Sequence, residues 1–333
     1  MTRQYRADEL TDLVRGFQSA CVLIAAAELD VFTALHAEPA DGNGLAARMH
    51  FDPRATTVLL DAVAAMGLLQ KSDGVYSVPS ATAAMLSEMG EDSVLGVVRH
   101  QGNCLRRWSQ LARVVKTGQA VRDQGSVRGS DEDTVSFIRA MHEISSRIAP
   151  GLIQSIEPLR FSHLLDLGGA SGTWTISLLE LHANATATIF DLPEVVSLAA
   201  NLVDIPGMAG RIRLVAGDFY TDELPAGADL AWVSAIVHQN SREQNRQLFL
   251  KVFRALDPGG SILIRDILMD GPRTTPLAGA FFAVNMLVGT EGGGTFTFDE
   301  LREDLDAAGF VDVRVLRKGE GMDSVVGAAK PAA

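Results

Sequence analysis

The sequence predicts an α/β protein in which a mainly helical N-terminal domain precedes a parallel β-sheet flanked by helices. Two patterns indicate this architecture. Before residue 150 the apolar residues follow helical spacing, whereas after residue 160 short apolar runs alternate with helix-length segments. The 333 residues also exceed the ~250–300 at which one hydrophobic core usually divides. We therefore expect two domains.

The charge balance excludes several classes of function. The chain has 29 Lys and Arg residues against 41 Asp and Glu residues, for a net charge of −12. This balance argues against non-specific binding to nucleic acid or to an anionic membrane. The only cysteines are Cys21 and Cys104, and no Cys or His motif has the spacing of metal ligands. We therefore expect neither a disulfide framework nor a metal site.

No membrane segment is predicted. The most apolar stretch, Ala20 to Ala27, is only eight residues long, whereas a membrane-spanning helix needs about 20. The first five residues lack the basic segment that leads into the apolar core of a signal peptide. The sequence thus favours a cytoplasmic protein that does not contact a membrane.

Apolar residues between positions 9 and 36 have the spacing of one helical face, namely Leu10, Leu13, Val14, Phe17, Cys21 and Ile24. From Ala20 onward the predicted helix is apolar on nearly every side. It therefore needs cover, which either the rest of the domain or a second copy of the chain would supply.

Residues 43–79 predict two short helices and a β-hairpin, the order of a winged-helix domain. The second helix begins at Asp52-Pro53, with proline in the first turn, and ends at Gly67. Winged-helix domains often bind DNA, but residues 36–90 contain three Lys or Arg residues against six Asp or Glu residues. DNA binding needs basic residues on the recognition face, so a structural role is favoured.

The next 60 residues predict helices interrupted by a polar, Gly-rich loop at 119–133, and Pro150-Gly151 and Pro158 suggest a change of domain. We place a winged-helix-like domain at 1–100, a helical linker at 101–155 and the sheet domain at 156–333.

A glycine-rich turn follows the first strand of the sheet domain and leads into a helix. Its spacing, D-x-G-x-x-x-G from Asp166 through Gly168 and Gly169 to Gly172, differs from the G-x-G-x-x-G of dinucleotide sites. A carboxylate before the first glycine would repel a pyrophosphate and attract a cation. S-adenosylmethionine has a sulfonium, an ammonium and no phosphate. The turn therefore predicts an S-adenosylmethionine site in a Rossmann-like domain.

Acidic residues also end the next two predicted strands. Asp191, followed by Leu192, is placed to accept hydrogen bonds from ribose hydroxyls. Asp218 is placed to accept from the adenine amino group, and Phe219 to cover the ring. Three acids at successive strand ends support the same cofactor.

With these motifs the chain resembles the S-adenosylmethionine-dependent O-methyltransferases of the caffeate, hydroxyindole and bacterial antibiotic type. The resemblance covers nearly the whole chain and is carried by Trp108 to Gly118, Phe137 to Met141, Asp166 to Gly172, Phe190 to Pro193, Gly217 to Phe219, the His238 segment, Ala255 to Gly260, and Ala308 to Phe310. It implies a homodimer formed by the N-terminal domain, which borders the partner's substrate pocket, and a linker that lines the active site.

The resemblance also implies roles for single residues. Gly168, Asp191, Asp218 and Phe219 match cofactor-binding positions, and so does Ser145. His238 matches the catalytic base, and Asp266 matches an acidic position of the family. Ser234, four residues before the histidine, stands where the family has a lysine near the adenine.

The chemistry supports His238 independently, because a hydroxyl acceptor must lose its proton before it attacks a methyl group. His238 follows the predicted fourth strand, Leu230 to Val237, at the edge where such sheets bind ligands. Asp266, which ends the fifth strand, is placed to fix the histidine tautomer. The alternatives for Asp266 are a helix cap or a salt bridge with Arg265.

Some positions depart from the family pattern. Gln239-Asn240 replace the usual Asp-Trp, Thr295 stands where an acidic partner is expected, and Ala170 replaces the central glycine of the turn. These departures leave open a relative that retains the cofactor but catalyses hydroxylation or decarboxylation. A winged-helix regulator that senses S-adenosylmethionine is a third, less favoured hypothesis.

The acceptor side is predicted from an apolar helix, Leu277 to Val288, whose one amide is Asn285. We expect a hydroxyl on a small aromatic or polyketide-like acceptor. Its predicted contacts are Trp108, Met141, Asn285 and Met286, and Gly289 to Gly294 would form a mobile lid.

Overall fold

The computed structural model describes residues 4–121, 125–203 and 205–332, without the side chains of residues 198, 199, 201 and 202. The described residues form two compact units. The first comprises residues 4–106 and 125–143, and the second comprises the described residues of 107–121 and 144–332. The predicted loop at 119–133 therefore falls partly, at 122–124, outside the described residues.

The first unit contains mainly helices and one antiparallel hairpin, in the winged-helix order. Its elements are α1 (Ala7–Arg15), α2 (Phe17–Glu28), α3 (Val31–Ala37), α4 (Gly42–Met49), α5 (Pro53–Ala65), β1 (Gln70–Ser72), β2 (Val75–Ser77), α6 (Ser80–Leu86), and the first parts of α7 (Leu95–Trp108) and α9 (Ser130–Ser155). The Asp52 carboxylate caps α5 by accepting from the Ala55 N–H at 2.7 Å, and proline occupies the first turn.

The segment at residues 9–36, where the sequence predicts helical spacing, forms three helices, α1, α2 and α3. Gly16 separates the first two helices, and Asp30, with φ 55°, precedes the third. Within α2, Ile24, Ala26 and Ala27 are buried, whereas apolar residues of the first turns are exposed. A core therefore covers the C-terminal half of α2 and leaves α1 uncovered in this chain.

Helices α1 and α2 together form an apolar segment longer than the eight-residue stretch noted in the sequence. Together they run from Ala7 to Glu28, 22 residues, and by length and composition alone could cross a membrane. Only 11% of the most apolar window is buried within the chain. The sequence-based estimate of eight residues counted only the uninterrupted apolar core of α2.

The second unit is built on a seven-stranded sheet in the order β10-β11-β7-β6-β3-β4-β5. Its elements are α8 (Leu111–Thr117), the end of α9, β3 (His163–Leu167), α10 (Thr173–Leu181), β4 (Thr186–Asp191), α11 (Pro193–Val203), β5 (Ile212–Ala216), β6 (Ala228–Ser234), a 3₁₀ helix (Val237–Gln239), α12 (Arg242–Ala255), β7 (Leu256–Asp266), β8 (Leu268–Met269), α13 (Leu277–Gly289), β9 (Phe296–Thr297), α14 (Phe298–Ala307), β10 (Val311–Arg317) and β11 (Ser324–Ala329).

The strand order reverses at β3, and this places the predicted site. Strands β7, β6, β3, β4 and β5 are parallel, and β3 pairs with β4 on one side and β6 on the other. The carboxyl ends of these strands therefore meet at one edge, where doubly wound sheets bind ligands. The last two strands, β10 and β11, are antiparallel to each other, and β11 is also antiparallel to β7.

Both faces of the central strands β3, β4 and β6 are buried, which explains their continuous apolar runs. Leu165, Val233 and Ile264 contribute to the core on one face. Leu164 and Trp232 contribute to the core on the other face. Because side chains alternate along a strand, neighbouring residues at the strand ends reach different sides of the site.

Two boundaries differ from the prediction. Strand β6 ends at Ser234 rather than at Val237, because Ala235 adopts φ 58° and turns the chain into the 3₁₀ helix that carries His238. Pro150 lies inside α9 and does not end it. The three-part division at residues 100 and 155 stays a prediction.

Candidate active site

The turn between β3 and α10 favours glycine at its first position. Gly168 has φ 61°, and a Cβ built on it would lie 2.6 Å from Ile236 Cδ1. Ala170 also adopts a positive φ of 45°, which is unfavourable for a residue with a side chain. Its N–H donates to Asp191 Oδ2 at 2.9 Å. This hydrogen bond helps to hold the turn in its strained conformation.

Asp191 connects the turn to the end of β4. Its Oδ2 accepts from Ala170, and its Oδ1 accepts from the backbone N–H of Leu192 at 2.8 Å. The side chain is 8% exposed, and burial raises the pKa of its carboxyl. A carboxylate has about four lone-pair sites, so both oxygens retain capacity to accept from ligand hydroxyls.

Asp166 lies beneath the turn rather than on its surface. It is 1% exposed, and its Oδ2 accepts from Thr175 Oγ1 at 2.6 Å. Its Oδ1 is buried and has no hydrogen-bond partner among the described residues. Burial, with a smaller contribution from the charge of Asp191, raises the pKa of Asp166 to about 7 despite the Thr175 hydrogen bond. A cation bound above the turn would favour the ionised form of this carboxyl.

The loop after β5 lies beside the same turn. The position of a Cβ on Gly168 is 3.9 Å from Phe219 Cε1. Asp218 Oδ1 accepts from the Tyr220 N–H at 2.8 Å, and the Phe219 and Tyr220 rings are 4.6 Å apart. Lys251 Nζ donates to the carbonyls of Phe219 and Tyr220 at 3.0 and 2.8 Å. The loop is thereby held against α12.

The donors and acceptors at this edge fit S-adenosylmethionine. The turn exposes backbone next to a buried carboxylate with an unpaired oxygen, Asp191 has acceptor capacity for the ribose, and Phe219 offers an aromatic face. No cluster of three His, Cys, Asp or Glu side chains suited to a metal ion occurs in the described part of the chain.

Ser234 contacts a buried arginine. Its Oγ accepts from Arg265 Nη1 at 2.8 Å, and the two side chains are 8% and 3% exposed. The guanidinium carbon lies 4.3 Å from the centre of the Trp174 ring, and burial lowers the pKa of Arg265 to about 10. Arg265 thus bonds to Ser234 and not to Asp266, its neighbour in sequence.

Asp266 pairs instead with His238. The His238 Nδ1 lies 2.9 Å from Asp266 Oδ2 and 3.1 Å from Oδ1, and the Ile267 N–H donates to Oδ1 at 2.8 Å. Because an ionised carboxylate only accepts, the proton of a neutral His238 ring lies on Nδ1, and Nε2 then carries the lone pair. Within the described ranges Nε2 has no hydrogen-bond partner. The predicted pairing is present, and its catalytic role remains a proposal.

Helix α13 provides side chains next to His238. The Phe282 ring meets the imidazole edge-on, with 4.7 Å between ring centres. Asn285 and Met286 follow one helical turn later, on the same face of α13. Trp108 Nε1 donates to Asn285 Oδ1 at 2.8 Å. Three of the four predicted acceptor contacts, Trp108, Asn285 and Met286, therefore lie close to Phe282.

The remaining predicted site residues have fewer described contacts with the glycine turn. Ser145 is a 9% exposed residue of α9, and Met141 is a half-buried residue of the first unit. No hydrogen bond described for either residue links it to the glycine turn. The side chain of Leu192 is 40% exposed, and its backbone N–H donates to Asp191 Oδ1.

Sequence reasoning missed Phe282. An aromatic residue inside an apolar helix has the pattern of a core residue, so its contact with His238 gave no signal.

Comparison with known proteins identifies the family. The family model described as an O-methyltransferase domain matches residues 108–311, and the one described as an O-methyltransferase dimerisation domain matches residues 11–88. The chain belongs to the O-methyltransferase family. The predicted family and fold class are confirmed, and the protein is an S-adenosylmethionine-dependent O-methyltransferase.

Individual relatives align over almost the full length of the methyltransferase. A 3-hydroxy-5-methyl-1-naphthoate 3-O-methyltransferase from Streptomyces sahachiroi is 32% identical over 96% of this chain and 94% of its own. The tetracenomycin polyketide synthesis 8-O-methyl transferase TcmO from Streptomyces glaucescens is 30% identical, with 97% and 96% covered. The structure of human N-acetylserotonin methyltransferase in complex with SAM has a TM-score of 0.79 at 27% identity, with 100% of both chains covered.

Proposed function

We propose that this methyltransferase transfers the methyl group of S-adenosylmethionine to a hydroxyl of a small aromatic or polyketide-like acceptor, with His238 as the general base. The observation that carries the proposal is the 2.9 Å pairing of His238 Nδ1 with Asp266 Oδ2. This pairing leaves the Nε2 lone pair directed away from the carboxylate, in the neutral tautomer that a base needs.

The cofactor would be held by residues at the carboxyl edge of the sheet. Asp191 would accept from the ribose hydroxyls, Asp218 from the adenine amino group, and Phe219 would cover the adenine ring. When bound, S-adenosylmethionine supplies a methyl group already activated by its positive sulfur. The buried carboxyl of Asp166 favours this positive charge from below the turn.

The protein itself orients the acceptor and moves one proton. Aligning the two reactants and excluding water contribute about 7–11 kcal/mol in favourable cases. His238 Nε2 takes the acceptor's proton as its oxygen attacks, and Asp266 stabilises the imidazolium that forms. Phe282 prevents the imidazole from rotating away, because it packs edge-on against that ring.

An aromatic acceptor suits the side chains around the base. Phe282, Met286 and Trp108 are large and apolar, and Asn285 is a single amide among them. Two relatives have naphthoate and polyketide substrates in their names. We infer a fused or polyhydroxylated aromatic acceptor of the same kind.

We also infer a homodimer formed through the N-terminal domain and located in the cytoplasm. Residues 11–88 match a dimerisation domain, and Leu13, Val14 and Phe17 are 65%, 72% and 55% exposed in the single chain. A second copy would cover this apolar face, which explains the apolar composition of α1 and α2 without a membrane. Light scattering at micromolar concentration should give twice the mass of 35.5 kDa. A single-chain mass would contradict the dimer.

The function is tested by transfer of label from methyl-labelled S-adenosylmethionine to a panel of hydroxynaphthoates and polyketide phenols. His238→Ala should lower turnover of the best acceptor by about 10²–10⁴-fold, with the Kd of S-adenosylhomocysteine unchanged. His36→Ala, a change of an exposed histidine in α3, serves as the control.

Two results would contradict the proposal. An unchanged rate in His238→Ala would exclude this residue as the base. Tight binding of S-adenosylhomocysteine without methylation of any panel member would favour a relative that retains the cofactor for another reaction.

A further inference from the structure

A chain of hydrogen bonds joins the loop after β5 to the turn that carries His238. Tyr220 Oη donates to Asn240 Oδ1 at 2.5 Å, and Asn240 Nδ2 donates to Asn245 Oδ1 at 3.0 Å. Asn245 Nδ2 then donates to the carbonyl of Val237 at 3.0 Å. Val237 is the residue before His238 and begins the 3₁₀ helix.

The groups at the two ends of this hydrogen-bond series determine which atom donates in each bond. A backbone carbonyl only accepts, so the Asn245 amide must present its nitrogen to Val237 and its oxygen to Asn240. The Asn240 amide is then oriented in turn, with its oxygen toward Tyr220. The phenol must therefore be the donor. Each bond depends on the next, and both asparagines are fully buried.

The Tyr220 end of the hydrogen-bond series lies beside the proposed cofactor site. The Tyr220 ring packs against Phe219, which adjoins Gly168. Lys251 fixes the backbone of the same loop through three carbonyls, those of Phe219, Tyr220 and Asp222. The Tyr220 ring therefore lies next to the side chain proposed to cover the adenine.

The His238 end has other contacts besides Asn245, since the imidazole pairs with Asp266 and the Gln239 N–H donates to the Ile236 carbonyl at 3.1 Å. The carbonyl of His238 accepts from the Gly294 N–H at 2.8 Å, and Asn240 N–H donates weakly to Val237 at 3.3 Å. The turn follows Ala235, whose φ of 58° is unfavourable for a residue with a side chain. A strained turn keeps one conformation only if its surroundings hold it, and Asn245 provides one of the side-chain contacts that do so, from α12.

We propose that Tyr220 is a positioning residue, which acts through Asn240 and Asn245 to fix the His238 turn when the cofactor loop is occupied. The role in catalysis rests on the proposed function of His238, whereas the physical link between loop and turn does not. The inference predicts that occupancy of the nucleoside site stabilises the backbone around His238.

Hydrogen exchange with S-adenosylhomocysteine tests the link without any acceptor. In the parent, saturating S-adenosylhomocysteine should slow exchange severalfold in segments 218–222 and 236–241. In Tyr220→Phe the protection of 218–222 should remain and that of 236–241 should be lost. Tyr76→Phe is a matched control, since Tyr76 Oη donates to Asp61 at 2.8 Å in the other unit. Equal protection of 236–241 in the parent and Tyr220→Phe, or none in the parent, overturns the proposal.

The catalytic consequence is tested by combining two substitutions. With the best hydroxynaphthoate acceptor, Tyr220→Phe should lower kcat about threefold to tenfold in the parent and leave it unchanged in a His238→Ala background, because the effect acts through His238. The same decrease in both backgrounds would show that Tyr220 does not act through the base. A His238→Ala rate equal to the parent's would contradict the role of His238 as the base. The hydrogen-exchange experiment would still test the link between Tyr220 and the His238 turn.

Discussion

The indole N–H of Trp108, its one hydrogen-bond donor, donates to the side-chain oxygen of Asn285 at 2.8 Å and across 177 positions of sequence. An amide can present either its oxygen or its nitrogen to a ligand. Here the indole takes the oxygen, so the Asn285 nitrogen is left as the donor. Among the described residues this nitrogen has no hydrogen-bond partner. We infer that it donates to an oxygen of the acceptor, because Asn285 lies one helical turn from Phe282, which packs on His238.

Trp108→Phe should raise the KM for the acceptor about tenfold, because the Asn285 amide loses the contact that orients it and a hydrogen bond contributes about 0.5–1.5 kcal/mol. The Kd of S-adenosylhomocysteine should not change. Steady-state label transfer and calorimetry measure the two quantities. In an Asn285→Ala background the Trp108 substitution should have no further effect. Additive effects would show that Trp108 contacts the acceptor by itself.

Asp191→Asn should raise the Kd of S-adenosylhomocysteine about 10–100-fold, because hydrogen bonds to a charged group contribute about 1.5–3 kcal/mol. Asp229→Asn is the matched control. Its carboxylate also accepts two backbone N–H groups, from Ser162 and His163, but at the amino-terminal edge of the sheet. Both variants should lose comparable stability, and only Asp191→Asn should lose affinity. Equal affinities in calorimetry would exclude Asp191 from the site.

Asp166 should make the free protein less stable as the pH rises. Its carboxyl holds a proton up to about pH 7 in the folded state, against 3.8 for the unperturbed group. Between these values the folded state binds more protons than the unfolded state, so the free energy of unfolding falls with pH. Between pH 5 and pH 7 the free energy of unfolding of the parent should fall by about 2–3 kcal/mol more than that of Asp166→Asn, at 1.36 kcal/mol per pKa unit. Guanidinium unfolding of both proteins measures this difference, and parallel pH profiles would contradict the buried position of the carboxyl.

Gly168→Ala should destabilise the turn more than its backbone angle alone requires. The substitution imposes about 1–2 kcal/mol for a side chain at positive φ and an overpacking penalty of about 1–3 kcal/mol against Ile236. Gly207→Ala isolates the first contribution, since Gly207 has φ 87° and a Cβ there would meet nothing within 4 Å. Thermal unfolding compares the two variants. A Gly168→Ala variant as stable as Gly207→Ala would mean that Ile236 moves aside readily.

The strands and acids of the sheet edge were predictable because their signals are local. A strand with Asp166 as its penultimate residue, a turn with glycine at 168 and 172, and an acid at or just after the end of each next strand are patterns within a few residues. The pairing of His238 with Asp266 was also predictable, since parallel strands bring their carboxyl ends together. The exact end of β6 was not, because Ala235 takes a conformation that its residue type disfavours.

The depth of the acidic residues could not be predicted from the sequence. Asp166 and Asp191 have the same local pattern, yet the former is covered by the turn that follows it while the latter lies at the strand end. Arg265 gave no signal of its contact with Ser234 and Trp174, because these residues meet only through sheet pairing and helix packing.

By itself the sequence determined the α/β architecture, the kind of nucleoside the sheet edge can bind and the identity of the histidine beside it, since all three follow from residue types at fixed short spacing. Only the tertiary structure decided that Phe282 packs on that histidine, that Trp108 orients Asn285 and that Tyr220 reaches Asn240. Those contacts join elements far apart in the chain, and their existence depends on side-chain directions that no local pattern encodes.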